Sequence, residues 1–279
     1  VYGVAATPRN ARLMSYRVGC ATPFTVAAIV ADVSSRTDAI LHEGASALEE
    51  QADPVRAAKA AAYLHSASTH RGVSVPALHR IARSTARDLD RPTLLGVAVR
   101  LWDEPVPPVH ERRFVAADLL ANRPELLTPE DVTLIERMTR EAGTWAIVDT
   151  LAPRVLGAIL EQHPGETADV LDAWASDENR WLRRSVLLAH LPSLRAGRGN
   201  WHRFTHYADS MLADREFFVA KAIGWVLRDT ARRRPDLVLD WAEPRMTRMQ
   251  RVTAREVIKP YPADVQQLLM AAHRSTDGG

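Results

Sequence analysis

The sequence has a single cysteine, Cys20, in 279 residues. This excludes a disulfide within the chain and any zinc or iron–sulfur centre built from several thiolates, and it fits a reducing, cytoplasmic setting. Lysine is almost as scarce. Lys59, Lys221 and Lys259 are the only three, so 33 of the 36 basic residues are arginine, as a GC-rich genome would produce. Long apolar runs are missing. The stretch from Phe24 to Val33 falls short of the roughly 18–20 residues that cross a bilayer, and no signal-peptide cleavage pattern clearly follows it. There is no Gly-rich phosphate loop. His202 and His206 are four apart but lack the glutamate of a zinc-protease motif, so the reading calls for no metal and no cofactor. The first residue is Val rather than Met, which points to an alternative start codon or a processed chain.

What remains is a chain of ordinary composition, 46% hydrophobic and 25% charged, with enough length to bury a substantial core. Its formal net charge of +2 conceals an asymmetry: residues 180–259 carry 17 Lys/Arg against 8 Asp/Glu, while the rest of the chain is net acidic. A basic segment on an otherwise acidic protein is what a polyanionic partner requires, although a solvated helical face gives the same count.

From Asp38 onward the pattern is helical. Ala, Leu, Glu and Arg dominate, and β-branched clusters bounded by hairpin turns do not occur. Breaks fall at Arg71-Gly72, Asp90-Arg91-Pro92, Pro105 to Pro108, Arg123-Pro124, Gly143, His163-Pro164-Gly165, Gly197 to Gly199, Pro235, Pro244 and Pro260-Tyr261-Pro262. Antiparallel helix pairs recurring at roughly 35–45 residues follow, which is the HEAT/armadillo pattern. The expected architecture is all-α: HEAT-like repeats in a right-handed, curved solenoid with a concave cradle. Residues 1–35 are expected to be a poorly ordered extension, 36–274 the repeat domain and 275–279 a disordered tail.

Three segments could carry chemistry. In Trp145-Ala146-Ile147-Val148-Asp149 the tryptophan and the aspartate are four apart and share a helical face. An aromatic wall beside a carboxylate can stabilise a developing cation, although a Trp at helical spacing is more often core. In Asn179-Arg180-Trp181-Leu182-Arg183-Arg184, Arg184 sits between Trp181 and Leu188 on the helical wheel and wants an anion, either a carboxylate or a phosphate. In the segment from Asp214 to Asp229, Trp225 shares its face with Phe218, Lys221, Arg228 and Arg232, while Ile223, Val226 and Leu227 point elsewhere. A tryptophan on a basic stripe suits a surface that meets a nucleic-acid backbone.

At these segments the chain resembles the DNA alkylation repair family of AlkD-type glycosylases. The run Phe217-Phe218-Val219-Ala220-Lys221-Ala222-Ile223-Gly224-Trp225-Val226-Leu227-Arg228 is nearly the family signature. Trp181-Leu182-Arg183-Arg184 is similar to its Trp-x-x-Arg, and Trp145 to Asp149 to its Trp-x-x-Val-Asp. Leu101-Trp102 with Glu111 to Leu120, and Ala62-Tyr63-Leu64 with Gly72 to Pro76, add to the match.

The resemblance implies a monofunctional DNA glycosylase, acting as a monomer on duplex DNA. It would hydrolyse the N-glycosidic bond of cationic N3- or N7-alkylated purines without extruding the lesion into a pocket. Asp149 would stabilise the oxocarbenium-like sugar and position water, Trp145 and Trp225 would pack on the deoxyribose, and Arg184 would hold a nearby phosphate. Tyr63, Arg180, Lys221, Arg228 and Arg232 would contact DNA. Some relatives excise bulky adenine adducts and so protect producers of DNA-alkylating antibiotics such as yatakemycin. The chain departs from the family in one place, with Ala146 where an Asp often follows the first Trp. The alternative reading is a non-catalytic HEAT-repeat module that binds DNA or protein. Retention of Asp149 with both tryptophans weighs against it.

Overall fold

Six helices begin at Val75, His110, Trp145, Arg180, Phe217 and Arg251, each 34–37 residues after the one before. The computed structural model describes residues 23–274, with side chains from residue 35. Consecutive members of the six pack side by side: Val75–Ala86 on His110–Ala121, then the helix that opens at Trp145, then Arg180–Ala189, Phe217–Ala231 and Arg251–Val257. The intervening helices, among them Arg91–Asp103, Val132–Glu141, Pro164–Trp174, Trp201–Ser210 and Pro235–Ala242, lie against this inner row. No strand occurs among the described residues, only an isolated bridge between Thr69 and Val109. This is the expected stack of HEAT-like pairs, with a repeat at the short end of the expected range.

The expected breaks fall where the helices stop, and the local reasons are visible. Asp53, Asp90, Asn179 and Asn200 each cap a helix by accepting a hydrogen bond from a first-turn N–H. Gly72 has φ +75°, and a Cβ there would fall 2.1 Å from the Asp53 carbonyl, so only glycine fits. One boundary differs. A helix runs from Pro23 to Glu49, where part of the extension over 1–35 was expected. Its Ser and Thr content hid the helix, but packing against Val75–Ala86 and Arg91–Asp103 supports what propensity alone would not. Residues 1–22 and 275–279 lie outside the described residues.

One apolar core runs without interruption from Leu41 to Leu269. Inner helices are flanked on both sides and bury most of their circumference. Phe217–Ala231 buries Val219, Ala220, Ala222, Ile223, Gly224, Val226 and Leu227. Phe218, Lys221, Trp225 and Arg228 are left as a part-exposed stripe, the face expected from the helical wheel. Polar contacts tie each repeat to the next. Arg91 pairs with Asp131, Trp102 Nε1 donates to Glu141, and Arg195 pairs with Asp229, spanning 40, 39 and 34 residues.

Two predictions follow from the packing. A Cβ on Gly224 would lie 2.6 Å from Glu256 Cβ and 3.1 Å from Thr253 Cα. Gly224→Ala therefore destabilises the fold by about 1–3 kcal/mol through forced separation of two inner helices, outweighing the roughly 1 kcal/mol of helix propensity that alanine adds. Urea denaturation checks this, and a more stable variant would contradict it.

His110 and His190 are buried, and desolvation pushes each imidazole from 6.5 to about 4. As the pH falls below about 6.5 the unfolded chain takes up these protons first. Stability is therefore fully present above that value and declines from pH 6.5 toward 4. His190→Gln should flatten part of this decline in denaturation midpoints measured between pH 7 and 4.5.

Candidate active site

Trp145, Arg180 and Phe217 open three successive inner helices, and Asp149, Arg184 and Lys221 are the fifth residues of the same three. The repeat thus stacks first-turn aromatics and fifth-position charges side by side. Together with Tyr63, Trp181, Phe218, Trp225, Arg228 and Glu256 they line one cleft of about 640 Å³. Every residue expected at the site lies there except Arg232, which is exposed beyond the C-terminal end of Phe217–Ala231 and does not line the cleft.

Asp149 and Arg184 form a forked pair. Arg184 Nε donates to Asp149 Oδ1 at 2.8 Å and Nη2 to Oδ2 at 2.9 Å, while Nη1 donates to the Phe218 carbonyl. Arg184 is 2% exposed and Asp149 17%, so the guanidinium is behind and the carboxylate reaches the cleft. Three of the Arg184 N–H groups are directed at a neighbouring repeat's carboxylate and a main-chain carbonyl. A forked arginine–carboxylate pair fixes the carboxyl plane as well as its place.

Asp149 sits just before a backbone irregularity. The helix opened by Trp145 passes into a π-helical segment over Leu151–Leu156 that contains Pro153. Pro153 has no N–H to return to the Asp149 carbonyl four residues earlier, and the wider turn absorbs the missing bond.

The aromatic walls are interlocked. Tyr63 meets Trp145 edge-on at 5.9 Å and Trp181 meets Phe218 at 5.2 Å. Trp225, which also lines the cleft, donates from Nε1 to Asp229 at 3.3 Å. Thr144, at the N-cap of the Trp145 helix, has a buried hydroxyl with no protein partner.

The cations differ in freedom. Lys221 lies 5.7 Å over the Phe217 ring and has no carboxylate partner among the described residues. Arg228 is paired with both Glu256 and Asp229, and Arg180 with Glu216 at 3.4 Å while its guanidinium covers Trp181. Arg228 is thus less available to a phosphate than its place on the basic stripe suggested. The sequence reading missed Glu256 and the part played by the Phe218 carbonyl. Pairing across repeats leaves no local motif, and only the 34–37-residue offset could have pointed to either.

Removing Arg184 leaves the Asp149 charge partly buried without its counter-ion. Arg184→Met should cost roughly 3 kcal/mol of stability, at the lower end of the range for breaking a buried pair because Asp149 retains some solvent contact. Guanidinium denaturation measures this, and a variant as stable as the parent would show that the pair does not organise the cleft.

Comparison with known proteins places this geometry. A sequence model of the DNA alkylation repair enzyme family matches residues 45–260. Among solved structures, a protein from Enterococcus faecalis described as a predicted DNA alkylation repair enzyme aligns with a TM-score of 0.66 at 23% identity. The alignment covers 76% of this chain and 97% of that one, a likeness in fold. AlkD2 from Streptococcus mutans aligns at 14% identity over 72% of this chain and 89% of its own, with a TM-score of 0.48. No curated protein matches the chain. The family match spans most of the sequence and contains every residue of the cleft, and the chain belongs to the DNA alkylation repair enzyme family.

Proposed function

We propose that the chain is a monofunctional DNA glycosylase that hydrolyses the N-glycosidic bond of cationic N3- and N7-alkylated purines in duplex DNA. The observation that carries the reading is the Asp149 carboxylate, held from behind by buried Arg184 in a cleft that Trp145 and Trp225 also line.

In a cationic alkylpurine the C1′–N bond breaks with its electron pair moving to the base. The base departs neutral and positive charge is left on the deoxyribose. Water then adds to C1′ and releases a proton. The demand on the enzyme is charge stabilisation at the sugar, not proton donation to the base. A carboxylate nearer the sugar than its own counter-ion meets that demand, and its attraction to the cation is less screened in a cleft than in water. The two indole faces exclude bulk water and add cation–π attraction of the order of 0.5–2 kcal/mol each. Lys221, without a carboxylate partner among the described residues, is placed to meet a backbone phosphate, and Tyr63 to touch the lesion strand. An open, aromatic-walled cleft also suits bulky adenine adducts, the substrates of a self-resistance enzyme.

Asp149→Asn should slow release of 7-methylguanine from methylated duplex DNA by roughly 10- to 1000-fold. The same change leaves buried Arg184 without its counter-ion, so the assay is run below the variant's unfolding midpoint. 1,N6-Ethenoadenine, which is uncharged, should be a poor substrate. Parent-rate excision by Asp149→Asn would remove the mechanism, and efficient ethenoadenine release would call for a proton donor, such as His65 or Glu256 of the cleft lining.

A further inference from the structure

The inner groove holds a second charged cluster, centred one repeat before Asp149. His79 is the fifth residue of Val75–Ala86, as Asp149, Arg184 and Lys221 are of theirs, and Asp118 is the ninth residue of His110–Ala121, as Trp225 is of its helix. The repeat therefore turns His79 and Asp118 toward the groove that the cleft residues face. Asp118 is buried, 1% exposed, and two basic side chains converge on it. His79 Nδ1 lies 2.7 Å from Asp118 Oδ2, and Arg154 Nη1 donates to Oδ1. His79 and Arg154 are themselves 38% and 40% exposed. Neither has another carboxylate partner among the described residues, unlike Arg140, which is paired with both Glu136 and Asp177. Arg154 comes from the π-helical segment, whose extra residue per turn brings it round to the carboxylate.

We propose that His79, Asp118 and Arg154 form a phosphate-binding site for the backbone of duplex DNA, outside the cleft that holds Asp149. Three repeats supply one member each, and a single buried carboxylate holds both basic side chains with their remaining N–H groups turned outward. With Nδ1 at Asp118, Nε2 is the ring nitrogen left to meet a ligand. The groups that meet the His79 ring are Asp118 and Phe114 of His110–Ala121, with Arg154 of the next repeat sharing the carboxylate. On its own helix Arg80 and Arg83 are the other charged residues. No charged group of Pro23–Glu49, Pro54–Leu64 or Arg91–Asp103 is paired with it among the described residues. Asp118, which joins the cluster, stands on the inner helix next to that of Asp149, one inner-row step of about 8–10 Å away. For a duplex lying along the row, that is about two to three base pairs at about 3.4 Å per step.

The inference rests on the duplex-binding part of the proposed function, and the test separates the two. Binding of a fluorescent undamaged duplex is titrated by anisotropy across KCl concentrations. The proteins compared are the parent, His79→Gln, Arg154→Gln and, as a cleft control, Lys221→Gln. His79→Gln should weaken binding of the undamaged duplex several-fold. Arg154→Gln should weaken binding and lower the salt slope by about one phosphate contact, near 0.9 in log–log units. A single methylphosphonate scanned along one strand should weaken parent binding at one position and have no effect there in Arg154→Gln. If His79→Gln binds as tightly as the parent, or Arg154→Gln keeps the parent's slope, while Lys221→Gln binds weakly, this site is overturned and the duplex reading stands. If the parent itself shows no salt-dependent binding, both fall.

Discussion

The forked contact between Asp149 and Arg184 is the joint on which the cleft depends. It joins two consecutive inner helices, and its third donor reaches the Phe218 carbonyl of the next one, so one buried guanidinium holds three repeats in register. A carboxylate at a helix surface would ordinarily rotate and hydrate. Here both oxygens are occupied from behind, and only the cleft side remains open to a ligand. Burying a guanidinium costs several kcal/mol of desolvation, which the carboxylate offsets only while the geometry is good. The arrangement is therefore poorly explained as a device for stability. A preorganised charge that need not reorient when a cation forms nearby accounts for it better.

The rest of the site follows from repetition. A period of 34–37 residues returns the chain to the inner row with nearly the same rotation each time, so residues five places into each helix line up across neighbours. Those places hold His79, Phe114, Asp149, Arg184, Lys221 and Arg255. An acid next to a base gives an internal pair. A base next to nothing acidic gives a cation free for a ligand, as at Lys221. The close approach at Gly224 brings the last two inner helices together beside Arg228 and Glu256, and so sets the far wall.

Much of this was legible in the sequence, for reasons that differ by residue. The stripe of Phe218, Lys221, Trp225 and Arg228 was readable because a helix flanked on both sides must be apolar everywhere except toward a ligand or solvent. The helix ends were readable from Pro, Gly and capping Asp and Asn. The exact repeat was not, because equivalent positions keep a place in the stack but not a residue type. The partner of Arg184 was not readable either. Carboxylate and phosphate satisfy the same guanidinium, and which one is present depends on a residue 35 positions away. The basic excess of residues 180–259 was real but overstated as free charge. Arg184, Arg198 and Arg203 are neutralised by Asp149, Glu161 and Asp172 from earlier repeats. The helix beginning at Pro23 was missed because its support comes from packing rather than from periodicity.

The central claim is that Asp149 is built to attract positive charge at the deoxyribose. The most direct test is the affinity of the protein for two duplexes that differ only at an abasic position, one with a cationic pyrrolidine and one with neutral tetrahydrofuran. The account predicts that the parent protein prefers the pyrrolidine duplex by at least tenfold, about 1.4 kcal/mol, and that folded Asp149→Asn binds both alike. Equal affinity of the parent for the two duplexes, or a preference that survives in Asp149→Asn, would contradict it.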